Sequence, residues 1–308
     1  MNRTIFIVLA VVMVLSIFLL VTFFGYKTGP EAVFKIKSDE NTIIFAITPW
    51  GDARKSRKAY EPLLRYLSAE TGIKFQPLVM EDYNATIDNI AEGNLDIAIM
   101  PPVSFIKAKT LMPGIQYIST IKREESGKIF TTYKGYLVVL KKKYPGWTFD
   151  DFLKDSKNYK IAFVTKVSSS GWAYPMAMMK KRGLNPYEIF NEVLILDNHP
   201  SVTDAIENGT ADIGATWEYN FEQAVKKHGD IFSIIYTTPD IPGLAWVASK
   251  KTDPKLIERI RQLQLQIDAN AELKERLLKE TPDKGWAVLN ESFYNDVKEV
   301  LKYAGDFQ

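Results

Sequence analysis

The residues of this chain best suited to binding an anion lie in a serine-rich loop. Val167-Ser168-Ser169-Ser170-Gly171 follows a predicted strand (160–165) and precedes a predicted helix (172–182). Three hydroxyl groups and the free N–H groups of the first helical turn would converge there, and the helix dipole adds about half a positive charge at that end. Such a loop can bind an oxyanion without a Lys or Arg. Taken alone, the pattern also fits a serine that only caps a helix.

Histidine and tyrosine side chains offer further hydrogen-bond donors. His199, one of two histidines, stands at the start of a predicted helix (200–208). Its ring can donate to an oxyanion, and it adds a positive charge if it is protonated. Tyr83 and Tyr136 would add phenol groups from other parts of the chain. Each of these residue types is usually structural, so a binding site requires a fold that brings them together.

An internal repeat predicts such a fold. DYNATIDNIAEGNLDIA (82–98) aligns without a gap with NHPSVTDAIENGTADIG (198–214), 116 positions later, and Tyr83 stands where His199 stands. Each copy is predicted to be a short helix, a glycine stop and a strand. The preceding strands IIFAI (43–47) and IAFVT (161–165) also resemble each other. The repeat therefore predicts two similar lobes, with Tyr83 and His199 facing one cleft from opposite sides.

Other residues near the predicted strand ends are expected to be structural. Asp96 and Asp212 are matched in the repeat. Because carboxylates only accept hydrogen bonds, they would repel an anion and are expected to cap backbone N–H groups instead. Core packing is expected for Trp50, Trp172 and Trp217.

Strands that alternate with helices predict an α/β fold with parallel sheets covered by helices on both faces. Two strands, near 136–141 and 245–249, are candidates for crossovers between the lobes. We therefore predict that residues 42–134 and 245–308 form lobe 1 and that residues 135–244 form lobe 2. The lobes would close about hinges near residues 133–137 and 240–245.

Composition excludes several classes of function. The chain has 308 residues, a net charge of +2 and no Cys. Nucleic acid is therefore not expected as a partner, and disulfides, thiolate metal sites and Cys nucleophiles are excluded. The sequence has no nucleophile elbow and no metal-spaced cluster, and no acidic residue is apparent to orient His199 toward a serine. We expect a monomeric binding protein without a cofactor, not an enzyme.

The N-terminus predicts attachment to a membrane. No charged residue lies between Ile5 and Tyr26, and about 20 apolar helical residues suffice to cross a bilayer core. No convincing small-x-small cleavage site follows, so an uncleaved anchor is favoured over a removed signal. Residues 1–26 are thus predicted as a transmembrane anchor or signal and residues 27–41 as a tether. Basic residues on both sides leave the orientation open, but a solute-binding domain belongs outside the cytoplasm.

The ordered set of motifs resembles the periplasmic phosphonate/phosphite/phosphate-binding proteins of ABC importers. That family has the type II periplasmic-binding-protein fold, and its binding proteins deliver a small oxyanion to permease subunits. The resemblance implies six ligand-binding residues: Tyr83, Tyr136, Ser168, Ser169, Ser170 and His199. The motifs that carry it are YEPLLRYLSAETG (60–72), the two repeat copies, KGYLVVL (134–140), VSSSGWAYP (167–175) and TTPDIPG (237–243).

Two departures from the family pattern leave the ligand open. Family members often have an Asp shortly after Ile-Pro-Gly, where this chain continues with Leu244. Binders of amino-bearing phosphonates place a Glu about twenty residues after the His, where this chain has Tyr219 beside Glu218. Two alternatives keep the fold: ferric iron held by the tyrosines and histidine, or a sensory role beside a membrane receptor.

Overall fold

The computed structural model describes residues 41–49, 51–125 and 127–305. The predicted anchor, nearly all of the predicted tether and Trp50 lie outside these residues. Within the described ranges, no helix is both long and apolar enough to cross a bilayer.

The first part of the described chain alternates strands and helices and ends in a small hairpin and a crossover strand. Its elements are β1 (Thr42–Ile47), α1 (Ala53–Thr71), β2 (Lys74–Val79), α2 (Tyr83–Glu92), β3 (Ile97–Met100), α3 (Pro102–Leu111), β4 (Gln116–Ile121), β5 (Arg123–Glu125), β6 (Lys128–Phe130) and β7 (Thr132–Tyr133).

The middle part repeats the alternation. Its elements are β8 (Gly135–Leu140), α4 (Phe149–Leu153), a single turn (Ser156–Asn158), β9 (Lys160–Phe163), a wide helical turn (Ser169–Ala173), α5 (Tyr174–Lys181), α6 (Pro186–Ile189), β10 (Glu192–Ile195), α7 (His199–Glu207), β11 (Ile213–Trp217), α8 (Glu218–His228) and β12 (Phe232–Thr237).

The last part is mainly helical. Its elements are β13 (Ile241–Pro242), β14 (Ala245–Ala248), α9 (Pro254–Ala269), α10 (Ala271–Leu278), β15 (Trp286–Ala287), a short turn (Glu291–Tyr294) and α11 (Asn295–Ala304). Five short strands are too short for their hydrophobic periodicity to be recognised in the sequence. They are β5, β6, β7, β13 and β15.

Two sheets form the centres of two lobes. The six-stranded sheet has the order β15-β4-β14-β3-β1-β2, and the five-stranded sheet has the order β10-β9-β11-β8-β12. β1 is parallel to β2 and β3, and β9 is parallel to β10 and β11, as predicted. The prediction of parallel sheets is wrong for β8 and β14, which run antiparallel to both neighbours. Each of these strands enters its sheet from the other lobe, and therefore runs in the opposite direction.

The two connections between the sheets lie side by side. β7 pairs with β13, and this pairing sets Tyr133 opposite Ile241. Gly243 extends the contact, since its N–H donates to the carbonyl of Thr131 at 2.7 Å and its carbonyl accepts from the Tyr294 hydroxyl at 2.9 Å. The crossovers therefore coincide with the predicted hinge segments.

The strands of the six-stranded sheet come from residues 42–121 and 245–287, those of the five-stranded sheet come from residues 135–237, and the last helix contacts elements of both parts. α11 packs against α3 of lobe 1 and also against α5 of lobe 2. The ammonium group of Lys181, at the end of α5, lies 4.8 Å from the centre of the Tyr303 ring. The C-terminal helix thus forms a further attachment between the lobes.

The repeat is visible in matched hydrogen bonds. Asp96 accepts from the backbone N–H of Ile44 at 2.7 Å. Asp212, 116 positions later, accepts from the N–H of Lys160 at 2.9 Å, and Lys160 stands 116 positions after Ile44. The prediction that both aspartates are structural is confirmed by these bonds, which tie the first strand of each unit to its third.

The ends of the repeated helices match as well. Asp82 caps α2 by accepting from Ala85 N at 2.7 Å, and Asn198 caps α7 by accepting from Ser201 N at 3.0 Å. Gly93 and Gly209 then take the left-handed conformation, with φ of 77° and 78°, which only glycine adopts without strain.

The first strands of the two repeat units, β1 and β9, are also related by the offset of 116 positions. Phe45 pairs with Ile97 and Ile161 pairs with Ile213, so Phe45 corresponds to Ile161. The resemblance of IIFAI to IAFVT is therefore two residues out of register, because apolar strand residues fit more than one alignment.

We expect replacement of Gly243 by Ala to separate the two crossovers. An added Cβ would lie 2.3 Å from Ile121 O and 2.9 Å from Thr131 O, both backbone atoms that cannot rotate away. Overpacking of this kind costs about 1–3 kcal/mol of the free energy of unfolding. Gly51→Ala is the matched control, since its Cβ meets only Pro200 at 3.9 Å. Urea denaturation measures both, and equal stabilities of the two variants would contradict the close contact.

Candidate functional site

A small cavity brings together most of the side chains predicted to bind a ligand. Its free volume is about 20 Å³, which is room for roughly one water molecule. Every residue that lines it is buried. The lining residues are Tyr83, Pro101, Tyr133, Ser168, Ser169, Ser170, His199, Trp217 and Leu244.

Four helix starts meet at this cavity. Tyr83 and His199 are the first residues of α2 and α7, Pro101 immediately precedes α3, and Ser168 precedes the helical turn that leads into α5. Each start carries a partial positive charge, and in each one an N–H group is already bonded to a capping side chain. Among the residues that the structure describes, no Asp, Glu, Lys or Arg lines the cavity. The groups that face the cavity are therefore helix dipoles and neutral side chains.

The serine loop is shaped by its own hydrogen bonds. Ser168 accepts from Gly171 N at 3.2 Å and so caps the helical turn. A Cβ at Gly171 would lie 2.4 Å from Val164 and 2.9 Å from the Ser168 hydroxyl. The glycine therefore allows the loop to fold back over the end of β9.

The same loop is bonded to lobe 1. Ser169 accepts from Val103 N at 3.1 Å, in the first turn of α3. Ser104 donates to the carbonyl of Val167 at 3.1 Å. Because Pro101 offers no side-chain cap, Ser169 supplies from the opposite lobe the acceptor that α3 lacks.

Two tyrosines from lobe 1 and the crossover contact the serines. The Tyr83 phenol lies beside the Ser168 side chain, and the Tyr133 phenol lies beside the side chains of Ser169 and Ser170. Burial raises the pKa of both phenols well above the ordinary value. Both hydroxyls are therefore protonated and able to donate at neutral pH.

His199 is a neutral member of the site. Its ring is buried, and burial lowers its pKa to about 3. Its Nδ1 lies 3.3 Å from the hydroxyl of Thr216 on β11. Within the described residues no carboxylate is hydrogen-bonded to the ring, so the arrangement lacks the acidic partner of a catalytic triad.

Tyr136 does not line the cavity. Its ring is half-buried and packs edge-on against Phe221, with ring centres 5.6 Å apart. Burial raises its pKa to about 12, with Glu218 adding to the effect. Tyr133, three residues earlier, lines the cavity instead. Both tyrosines are visible in the sequence TTYKGY, but only the pairing of β7 with β13 decides which one faces the site.

Trp217 forms a wall of the cavity and stacks on a buried cation. The guanidinium of Arg123, from lobe 1, lies 5.2 Å from the centre of the Trp217 ring. Arg123 is paired with Asp283 at 2.6 Å, and Asp283 also accepts from the Tyr60 hydroxyl at 2.8 Å. The expectation of core packing for Trp217 is confirmed, since it belongs to the buried core, and the side chain also lines the cavity.

The family described as ABC transporter, phosphonate, periplasmic substrate-binding protein matches residues 45–294. The chain belongs to this family. It is 22% identical over 283 residues to the phosphate-import protein PhnD of Mycolicibacterium smegmatis, with 86% of each chain covered.

Solved structures show the same fold. The binding protein component of an ABC phosphonate transporter from Pseudomonas aeruginosa superposes with a TM-score of 0.77 at 18% identity, over 87% of each chain. PhnD1 from Prochlorococcus marinus, in complex with methylphosphonate, also gives 0.77, at 17% identity over 87% of this chain and all of that one. The two-lobed α/β fold expected for this family is thereby confirmed.

The donors of this cavity suit an anion better than a metal ion. The two phenols are held in the protonated form, and the described residues contain no group of three or more His, Cys, Asp or Glu side chains able to hold a metal. Ferric iron prefers deprotonated oxygen ligands, so the donors fit an anion better than a cation.

A second, wider cavity has a volume of about 900 Å³. It lies between α1 of lobe 1 and α7 and α8 of lobe 2, and its charged residues carry both signs. They are Asp52, Lys55, Lys58, Asp204, Lys227 and Glu280.

Glu218 is buried beside Trp217 at the crossover. It accepts from the backbone N–H of Lys134 at 2.9 Å. Burial raises its pKa to about 7, although the bond from Lys134 and the charge of Arg123 oppose this shift. The carboxyl therefore ionises near neutral pH, where the ordinary group is already fully charged.

Glu218→Gln tests this burial, because Gln keeps an accepting oxygen but cannot ionise. In the wild type the folded-state pKa of about 7 lies above the ordinary 4.5. The free energy of unfolding therefore falls as the pH rises through this window. We expect the variant to match the wild type at pH 4 and to exceed it at pH 8, by up to about 3 kcal/mol. Thermal unfolding across this range measures the difference, and a constant difference would contradict the assignment.

Proposed function

We propose that this protein binds a small phosphorus oxyanion of the phosphonate/phosphate class in the cavity between its lobes and delivers it to the permease of an ABC importer. The observation that carries the proposal is the convergence of four helix starts on a cavity without a charged side chain. Hydroxyl, phenol, imidazole and backbone donors suit the oxygens of such a ligand. The names of the relatives, which mention phosphate import and methylphosphonate, support the same class.

The apolar residues of the lining indicate which phosphorus oxyanion the cavity favours. Pro101, Trp217 and Leu244 complete the cavity, and Leu244 follows the Ile-Pro-Gly after which the family resemblance implies an Asp. Without a carboxylate, no strong acceptor is present for an acidic OH of the ligand. The site therefore favours an oxyanion that carries a hydrogen or a small apolar group over one with a further hydroxyl.

Uptake requires the lobes to separate. The free volume of about 20 Å³ is smaller than a phosphonate group, and Ser169 occupies the N–H of Val103. We infer that a ligand oxygen takes this N–H when the lobes close around it. Water is then excluded, which strengthens every hydrogen bond in the cavity.

The remaining assignments belong to the same proposal. Residues 42–134 and 245–308 form lobe 1 and residues 135–244 form lobe 2, with α11 attached to both. The protein acts as a monomer outside the cytoplasm, held at the membrane by its N-terminal segment, and has no enzymatic activity. Permease and ATPase genes beside its own gene would favour transport, whereas a histidine kinase gene would favour sensing.

Calorimetric titration tests the ligand class. Residues 38–308, which contain all of the described chain, are titrated with methylphosphonate, phosphite, phosphate and sulfate. We expect heat with at least one phosphorus oxyanion, and tighter binding of methylphosphonate or phosphite than of phosphate. Binding of sulfate alone, or of none of the four, would refute the proposal.

A matched pair of tyrosine variants tests the site. Tyr133→Phe removes a phenol donor from the cavity, so the affinity for the best ligand should fall about tenfold, or 1.4 kcal/mol. Tyr136→Phe makes the same change three residues away, outside the cavity, and should alter the affinity by less than about twofold. The reverse order of effects would restore Tyr136 to the site and exclude Tyr133.

A further inference from the structure

A set of polar side chains connected by hydrogen bonds contacts His199. Thr203, Thr216 and Asn220 are all buried, at 2%, 0% and 6% exposure, and His199 is 3% exposed. They come from three elements, α7, β11 and α8. Thr203 and Asn220 also border the wider cavity, but polar groups with so little exposure are as a rule hydrogen-bonded within the protein.

The orientation of the Asn220 amide follows from its neighbours. Its nitrogen lies 3.1 Å from the backbone carbonyl of His199, 3.0 Å from the Thr216 hydroxyl and 3.4 Å from the Thr203 hydroxyl. The carbonyl can only accept, and Thr203 donates its own proton to Pro200 O at 3.0 Å. The group that faces them must therefore be the amide nitrogen.

The orientation of the Asn220 amide determines the direction of the hydrogen bond between the Thr216 hydroxyl and His199. It accepts from Asn220, so its single proton is free to point at Nδ1 of His199, 3.3 Å away. In the opposite arrangement Nδ1–H would donate to Thr216, and the Thr216 proton would be buried without an acceptor. Nδ1 is therefore the acceptor, and the ring proton resides on Nε2.

The direction of this hydrogen bond decides what the ring offers to a ligand, because a neutral imidazole has one donor and one acceptor. A ring that presents Nε2–H to the cavity attracts an oxyanion, and a ring that presents a lone pair repels it. The ring cannot resolve this by charging, since burial holds its pKa at about 3.

We propose that Thr216 and Asn220 are positioning residues that hold His199 as the Nε2–H tautomer, so that the ring donates to the ligand from the start of α7. The donation from His199 to a ligand rests on the proposed function. The tautomer itself does not depend on it.

The other copy of the repeat supports the assignment. Tyr83 stands where His199 stands, and Met100 and Ser104 stand where Thr216 and Asn220 stand. A phenol O–H turns to suit its partner and has no tautomer to fix. The Thr–Asn pair thus accompanies the histidine copy and is replaced in the tyrosine copy.

The tautomer is measured by nitrogen NMR on the full-length chain, purified in mild detergent with ¹⁵N-labelled histidine. The chain contains two histidines, His199 and His228, and His228→Gln assigns their signals. We expect neutral Nε2–H at His199 in the ligand-free wild type between pH 5 and 8. The Nδ1–H tautomer or an imidazolium would overturn the proposal, and this measurement needs no variant in the network.

Three variants connect the tautomer with binding. Thr216→Val keeps the shape but removes the hydroxyl, so the Nε2–H signal should give way to a mixture and the affinity for methylphosphonate should fall at least about tenfold. Thr216→Ser should restore both. Thr203→Val removes a hydroxyl that does not contact the ring and should leave the tautomer unchanged.

An unaltered tautomer in Thr216→Val would overturn the positioning role of Thr216. Absence of binding by the wild type would refute the proposed function instead, and the wild-type tautomer would still be measured.

Discussion

The site depends on one constraint: helix starts that are closed off from water need acceptors for their first N–H groups. α3 begins at Pro101-Pro102 and has no capping side chain of its own. Its need is met across the cleft by Ser169, and three further helix starts face the same point. The lobes therefore meet at a place rich in donors, and whatever binds there must bring acceptors.

Positive charge reaches this point indirectly. Arg123 lies on the far side of Trp217, and Asp283 neutralises it within 2.6 Å. A guanidinium inside the cavity would bind any oxyanion strongly and slow its release, because a charged hydrogen bond is about twice as strong as a neutral one. Neutral donors and dipoles make recognition depend on the geometry of the ligand oxygens. Such a site suits a protein that must release what it captures.

Much of this architecture is encoded in the repeat. The offset of 116 positions correctly relates Asp96 to Asp212, the caps Asp82 and Asn198, and the paired helix starts Tyr83 and His199. The serine loop was identifiable because three hydroxyls directly precede a helix. Tyr133 and Trp217 could not be assigned from sequence, since their orientation is set by the crossover pairing and by contacts from the other lobe. The antiparallel strands β8 and β14 likewise follow from how the chain passes between lobes, which local periodicity does not record.

The wider cavity carries three lysines and three carboxylates. Charges of both signs within one Debye length cancel at a distance, so this surface produces little field to guide an anion inward. For a solute that enters past this surface, the rate of encounter should then depend little on ionic strength. Selectivity between solutes then depends on the inner cavity, where each solute must replace water as the hydrogen-bond partner of the donors.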